Sequence, residues 1–224
     1  LGTNTTGAQN TALGKDALKA NTTASNNTGI GYFALTANTT GANNVAVGAN
    51  ALDANTTASN NTAVGMNAAT SITTGDKNTA LGAAALTNTS SGDNNIAVGV
   101  DALGNNTTAS NNTAIGHEAL KQNSTGEHNV AVGYNALKAN TTAEGNHAFG
   151  TWALFTNTTG AHNTAVGRSA LYANTTGNYN VAMGRNSLSS NTTASYNTAL
   201  GYVALTANTT GGENTAVGYE ALDA

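Results

Sequence analysis

The strongest constraint on this chain is a five-residue motif, Asn-Thr-Ala-Val-Gly, that returns every 17 residues. Unaltered copies occur at Asn61–Gly65 and Asn163–Gly167, and the closing glycine is found in thirteen copies with no insertion or deletion between Gly14 and Gly218. Chains with such a period form stacked units that bury a core only against their neighbours. We therefore expect residues 1–224 to be a single repeat array of about 13 coils.

Composition excludes several classes of protein. The chain has no Pro, no Cys, 26 Gly and only 8% charged residues, with a formal charge of −4. So weak a charge predicts no electrostatic binding of nucleic acid and no attraction to an anionic membrane. Without Cys there are no disulfides or thiolate metal sites, and no apolar run approaches the ~20 residues that insertion across a bilayer needs. Disordered low-complexity sequence is the alternative, but the apolar residues keep fixed places in the period.

The period can be read column by column when Asn61 is numbered place one and Lys77 place seventeen. Place three is almost always Ala, place four always apolar, places eight and nine Ala-Leu, and places twelve to fourteen Asn-Thr-Thr. Seventeen residues are too few for a strand with a helical crossover. They suit one coil of a parallel β-solenoid, with each place stacked ~4.8 Å from its counterpart. We expect a first strand at the motif, a second short strand at Asn-Thr-Thr, and between them, as at Asn135–Ala139, either strand or one helical turn.

Two columns are predicted to have structural roles. Stacked place-one amides donate to one neighbour and accept from the other, which forms a ladder. The place-five glycine suits a corner that needs positive φ or close approach of the backbone; a Cβ at Gly116 should therefore cost more than one at Gly126, because place fifteen also accepts Ala. The ladder residues are Asn10, Asn27, Asn44, Asn61, Asn78, Asn95, Asn112, Asn129, Asn146, Asn163, Asn180, Asn197 and Asn214. The corner glycines are Gly14, Gly31, Gly48, Gly65, Gly82, Gly99, Gly116, Gly133, Gly150, Gly167, Gly184, Gly201 and Gly218.

The first strand is predicted to be covered on both faces. Successive strand residues point to opposite sides, so we place the large apolar residue of place four inside the coil and the Ala of place three outside. An exposed column should vary as place six does, from Lys15 to Arg168, yet place three never carries a charge or a long side chain. A second copy of the chain is the simplest cover, and the conclusion is the same if the two faces are exchanged. We therefore expect a homo-oligomer.

The motif order Asn-Thr-Ala-Val-Gly, Ala-Leu, Asn-Thr-Thr-Gly resembles the repeat regions of phage tail fibres and of tail-fibre-like bacterial surface proteins. It is more distantly similar to the head repeats of trimeric autotransporter adhesins, whose units are shorter. The resemblance covers the whole chain. It implies a left-handed parallel β-roll assembled as a homotrimer, located outside the cell on a virion tail fibre or a cell surface.

Candidate sites are few. Trp152 with Phe155 is the best surface contact for a carbohydrate or protein receptor, although scattered surface aromatics or packing between chains is the simpler interpretation. The acidic pairs Asp76 with Asp93 and Glu127 with Glu144 are spaced to share Ca²⁺, but the dense Asp column of calcium-binding solenoids is missing.

The histidines and the hydroxyl groups suggest no further site. His128 and His162 lie two coils apart, too far to chelate one ion, and His147 falls in a Thr/Val column that suits a structural residue. Ser and Thr fill repeated columns, whereas a catalytic residue is needed once. We therefore predict no enzyme, no cofactor and no metal site.

Two functions from different classes remain. The first is a structural and adhesive fibre segment, a rigid shaft that presents a receptor-binding element. The second is ice binding through stacked Thr columns; it is weaker, because Thr22 and Thr23 are adjacent and must point to opposite faces.

Overall fold

The computed structural model describes residues 1–223 and shows an all-β parallel β-solenoid of about 12 coils of 17 residues. Each strand is three residues long and covers places two to four. The described residues form no helix at all, so none that could cross a membrane is found among them. Turns and bends occupy the remainder of every coil.

The chain divides into two compact units, each built of consecutive parallel strands. The first unit, Leu1–Asn111, contains β1 Thr11–Leu13, β2 Thr28–Ile30, β3 Val45–Val47, β4 Thr62–Val64, β5 Thr79–Leu81 and β6 Ile96–Val98. The second unit begins at Asn112 and contains β7 Thr113–Ile115, β8 Val130–Val132, β9 His147–Phe149, β10 Thr164–Val166, β11 Val181–Met183, β12 Thr198–Leu200 and β13 Thr215–Val217.

Strand pairing within each unit is parallel and in register with the repeat. Thr62 pairs with Thr79 and Val64 with Leu81, so that each place lies beside its own counterpart. This register is what turns a column of the sequence into a column of side chains in space.

The predicted second strand at Asn-Thr-Thr is wrong, because places twelve to fourteen form a bend. The place-twelve side chain points into the coil and holds the backbone locally: Asn38 Nδ2 donates to the carbonyl of Gly41 at 2.9 Å. Such a bond from a side chain to a nearby carbonyl offers the backbone an alternative to a strand ladder. The Ala-Leu stretch is neither strand nor helix but two successive turns, with Ala51 N–H donating to Gly48 O at 3.4 Å and Asn55 N–H to Leu52 O at 3.2 Å.

The strand faces the opposite way from the predicted orientation, with place three inside the coil and place four outside. The Ala of place three is fully buried within a single chain, as at Ala63 and Ala165, whereas the apolar residue of place four points outward. The reason is space. A Cβ on Gly29, the one non-alanine of place three, would lie 3.3 Å from Cγ of Leu18, so the place-nine leucine already fills the interior opposite the strand. The uniform Ala column is therefore explained by the chain's own core, without a second copy.

Candidate functional site

The place-one asparagines are buried and connect each coil to the next. Asn44 N–H donates to Oδ1 of Asn27 at 2.9 Å, and Asn44 Nδ2 donates to the carbonyl of Ala58 at 2.8 Å. The same pair of bonds recurs in the second unit, where Asn146 N–H donates to Asn129 Oδ1 at 2.9 Å. The main contact along this column is thus between a side-chain oxygen and a backbone amide, which satisfies a buried backbone donor that has no strand partner.

A second asparagine column, at place twelve, carries the direct amide-to-amide ladder. Asn140 Nδ2 donates to Asn123 Oδ1 at 2.8 Å and Asn174 Nδ2 to Asn157 Oδ1 at 2.8 Å. Sequence reasoning missed this ladder. The available signal was that Asn recurs at place twelve almost as regularly as at place one, beside Thr residues that do not require it.

The place-five glycines turn the corner after each strand. All thirteen have φ between +129° and +141°, a region open only to glycine. At Gly116 an added Cβ would also lie 2.6 Å from the carbonyl carbon of Gly133, inside contact distance. An added Cβ on Gly126, at place fifteen, would also meet backbone, the carbonyl oxygen of Ala143. Gly126 nevertheless has ordinary φ, and five other coils carry Ala at this place.

Place sixteen supplies oxygen acceptors to the backbone rather than ligands to a metal. Asp93 Oδ1 accepts from Asp76 N–H at 2.7 Å, and Asp76 Oδ1 accepts from Ser59 N–H at 2.7 Å. Serine hydroxyls of the same column do the same for other coils, as Ser25 does for Ala8 at 3.0 Å. The acidic pair therefore has a structural role in the observed geometry.

One histidine lies close to a carboxylate, but this pair does not form a metal-binding cluster. Within residues 1–223 no group of three or more His, Asp or Glu side chains is placed to hold a metal ion. His162 Nε2 lies 3.9 Å from Glu144 Oε1, and the His162 ring stacks on Tyr179 with centroids 5.1 Å apart. His147 lies exposed in β9, in the outward-facing place-two column.

The outward surface of the strands joins the apolar column of place four to the mainly Thr column of place two, and we call it the strand face. Its large side chains are substantially exposed: Leu81 by 47%, Phe149 by 42% and Met183 by 44%. These two columns contain Thr, Val, Ile, Leu, Met and Phe, with His147 as the sole titratable residue and no Asp, Glu, Lys or Arg.

On the turn side of the second unit, aromatic rings stack in columns. Phe155 stacks on Tyr172 with centroids 5.3 Å apart and planes 9° from parallel. Trp152 belongs to another column, where Arg168 lies 5.2 Å over its ring and Tyr134 meets it edge-on at 6.3 Å. The predicted pair Trp152 and Phe155 therefore lies on one coil but in two different stacks.

Beside these stacks lies a groove of about 580 Å³, which we call the Trp152 groove. It is lined by Trp152, Ser169, Tyr172, Asn186, Ser189 and Ser190. Phe155 supports the groove from behind Tyr172 and does not line it. Tyr172 and the polar residues were missed from sequence; the signal was a change from aromatic to small residues at places seven and ten over three consecutive coils.

An ionic cluster of Glu118, Lys121 and Lys138 lies next to the place-ten column that contains Phe155 and Tyr172. Glu118 accepts from Lys121 Nζ and from Lys138 Nζ, each at 2.7 Å. These hydrogen bonds and the two positive charges lower the pKa of Glu118 from 4.5 to about 2. Lys138 Nζ also lies 5.9 Å over the Phe155 ring, so the charged cluster continues into the aromatic stack.

Comparison with known proteins gives no assignment. No family model, no curated protein and no solved structure matches this chain.

Proposed function

We propose that this chain is a structural and adhesive fibre segment, a rigid shaft that presents a receptor-binding element. In this proposal the solenoid is a left-handed β-roll, copies of the chain pack together as a homotrimer, and the fibre belongs to a phage tail or a bacterial cell surface. The repeat motifs resemble such fibres, and the strand face supports the assembly.

The strand face is the observation that carries the proposal. Every coil places an apolar residue at place four, although in a single chain that column is half-buried to exposed. Place six is exposed as well, and it changes freely between Lys15, Ala49, Met66 and Arg168. Soluble monomers rarely expose contiguous apolar surface of more than a few hundred Å². An outward column that nevertheless stays apolar is therefore expected to be covered.

A second copy fits this face better than an unrelated partner. The face repeats with the same period as the chain and carries no Asp, Glu, Lys or Arg, so apart from His147 it offers few charged or distinctive groups to a different protein. Two or three identical faces, in contrast, bury matching columns along their length. The Ala column is internal and needs no second copy. The surface that a second copy would cover is therefore the apolar column of place four.

The test is the mass of the purified segment by light scattering over a range of concentrations. We expect three times the 22.1 kDa of one chain. Leu81→Glu, on the strand face, should shift the mass towards that of the monomer. The matched control is Met66→Glu, which also replaces an exposed apolar residue but lies at place six and should leave the mass unchanged. A wild-type chain that is monomeric at all concentrations would contradict the proposal.

Ice binding is the second candidate, and one observation favours it. The Thr rank of place fourteen is exposed in coil after coil, as at Thr23, Thr40, Thr57 and Thr142. The neighbouring rank of place thirteen is occupied differently, because its hydroxyls donate to the next coil, as Thr39 does to Thr56 O at 3.0 Å. Place fourteen supplies one rank of Thr hydroxyls, and the mainly Thr column of place two, which also faces outward, supplies a second. A thermal-hysteresis assay separates the candidates: crystal shaping by the wild-type chain that is lost on replacing Thr40 and Thr57 with Tyr would favour ice binding.

A further inference from the structure

We propose that the Trp152 groove is a binding site for a neutral pyranose saccharide. The groove lies on the turn side and uses no residue of the strand face. The inference is therefore independent of the homotrimer and goes beyond the role of a shaft, since it gives the shaft a ligand site of its own.

One wall of the groove is the ring of Tyr172, which has one open face. Tyr172 belongs to the place-ten column, where Lys138, Phe155 and Tyr172 follow one another. Phe155 covers one face of Tyr172 at 5.3 Å, and the next residue of the column is Ser189, which has no ring. The stack stops there, and Tyr172 remains 38% exposed. A flat apolar group one ring thick fits the position that the next aromatic would have taken.

Polar side chains line the groove near the open face of Tyr172. Ser169, Asn186, Ser189 and Ser190 line the groove, and within the described chain none of their side chains makes a hydrogen bond. In the first unit, by contrast, two Asn residues of place seven pair with each other, as Asn50 Nδ2 donates to Asn67 Oδ1 at 3.0 Å. Hydroxyl and amide groups both donate and accept, which matches a ligand whose own hydroxyls do the same.

The lining of the Trp152 groove contains no charged residue. The groove is lined by Trp, Tyr, Ser, Asn and Ala, with no Asp, Glu, Lys, Arg or His. Arg168, in the neighbouring place-six column, lies over the Trp152 ring and does not line the groove. An anionic ligand such as a nucleotide finds no counter-charge in the groove. A polyhydroxylated ring with an apolar C–H face satisfies both the aromatic wall and the polar floor.

The groove is also of suitable size and is held in shape by its neighbours. Its volume of about 580 Å³ falls within the range of small-molecule sites. Trp152 is fixed between the Arg168 guanidinium and the edge of Tyr134, and Tyr172 is fixed against Phe155. Preformed aromatic walls lower the entropy cost of binding.

The experiment uses the one tryptophan of the chain as its reporter. Because Trp152 is unique and lines the groove, its fluorescence can be titrated without labelling. The probes are maltotriose, cellotriose, chitotriose, mannotriose and lactose, with sialyllactose as the anionic comparison, each tested to about 10 mM, above the millimolar Kd of weak specific binding. We expect saturable binding of at least one neutral probe, verified by saturation-transfer NMR.

Two variants should weaken saccharide binding, and a third is the matched control. Tyr172→Ala removes the open ring and Ser189→Tyr fills the space beside it; each should weaken binding at least about tenfold, a change that Kd measurements resolve. Thr36→Tyr makes the same kind of change at place ten of the first unit and should leave the affinity unchanged. The inference is overturned if no neutral probe binds, if only sialyllactose binds, or if binding survives both Tyr172→Ala and Ser189→Tyr. Light scattering on the same samples tests the fibre proposal separately.

Discussion

The two units have the same kind of interior and differ on the outside. In both, Ala occupies places three and eight and Asn occupies place one, buried in the inner coils; the exceptions are Gly29 and Ser187. The first unit has only Tyr32 and Phe33 as aromatic residues, whereas the second has nine of the chain's eleven. Because interior columns are limited by the space inside the coil, they repeat. Outer columns are free to change, so recognition is expected where they change most, in the second unit.

The interior itself differs at one point. The place-twelve ladder is continuous in the second unit from Asn123 to Asn208. In the first unit it is interrupted at Ile72, which leaves Asn55 Oδ1 buried without a partner among the described residues; at Thr89 it continues, because Asn106 Nδ2 donates to Thr89 Oγ1 at 3.1 Å. The coil that carries Ile72 also carries Ala69 where other coils have Leu. A larger residue in one buried column thus accompanies a smaller residue in the other.

The largest expected effect tests whether the two interiors are equivalent. Leu52→Ala in the first unit and Leu154→Ala in the second each remove a fully buried side chain of place nine. Each should lower the free energy of unfolding by about 2–5 kcal/mol, through lost burial and the cavity left behind. Urea unfolding followed by circular dichroism at fixed protein concentration measures both. Unequal losses, differing by more than about 2 kcal/mol, would contradict a common interior.

The next effect concerns the two kinds of glycine. Gly116→Ala places a Cβ where φ is +137° and the Gly133 backbone is in the way, and it should cost about 1–3 kcal/mol from strain alone. Gly126→Ala brings its Cβ against the Ala143 carbonyl oxygen, but it keeps an ordinary φ and copies the residue of five other coils, so we expect the backbone to shift at a lower cost. The same unfolding assay ranks the two, and an equal or larger loss for Gly126→Ala would refute the role given to φ.

The interrupted ladder predicts that two substitutions are coupled. Ile72→Asn alone should leave space beside Ala69, and Ala69→Leu alone should crowd Ile72, so each single change destabilises the first unit. The double variant restores the pattern of the other coils and gives Asn55 Oδ1 a donor. We expect it to exceed the sum of the single changes by about 0.5–3 kcal/mol in a double-mutant cycle.

The control for that cycle is the reverse change in the intact ladder. Asn157→Ile in the second unit removes the donor to Asn140 Oδ1 and the acceptor for Asn174. It should cost about 1–3 kcal/mol without a compensating partner. Additive behaviour at Ala69 and Ile72 would show that the two exceptions share a coil by coincidence.

The smallest effect is a pH dependence of the second unit. Glu118 has a folded pKa of about 2, below its ordinary 4.5, so its ion pairs stabilise the folded chain above pH 4.5 and lose that effect as the pH falls through 2. For side chains this close to the surface the gain is about 0.5–1 kcal/mol. Glu118→Gln should therefore be less stable than the wild-type chain at pH 6, and the two should converge as the pH approaches 2. A constant difference at all pH values would contradict the ion-pair explanation.

The sequence predicted the coil better than its orientation. The fixed period determined the parallel solenoid, because only in-register stacking brings each column together. The orientation of the strand was predicted wrongly, because the larger side chain, at place four, was expected to be the buried one. In a narrow coil the interior beside the strand admits only Ala63 and its counterparts, and Val64 is directed outward. The Trp152 groove depends on residues from three coils, and no single column indicates it.

The left-handed backbone at place nine has a further consequence. Twelve leucines and Ala69 have φ between 48° and 55°, and places seven and seventeen are also positive. Side chains with a Cβ disfavour this region, so every coil contains several residues in conformations that they would leave if free. One repeat excised as a 17-residue peptide should be disordered in water, and order should arise only above a minimum number of stacked repeats. Length, more than any single contact, then determines whether this sequence has a structure at all.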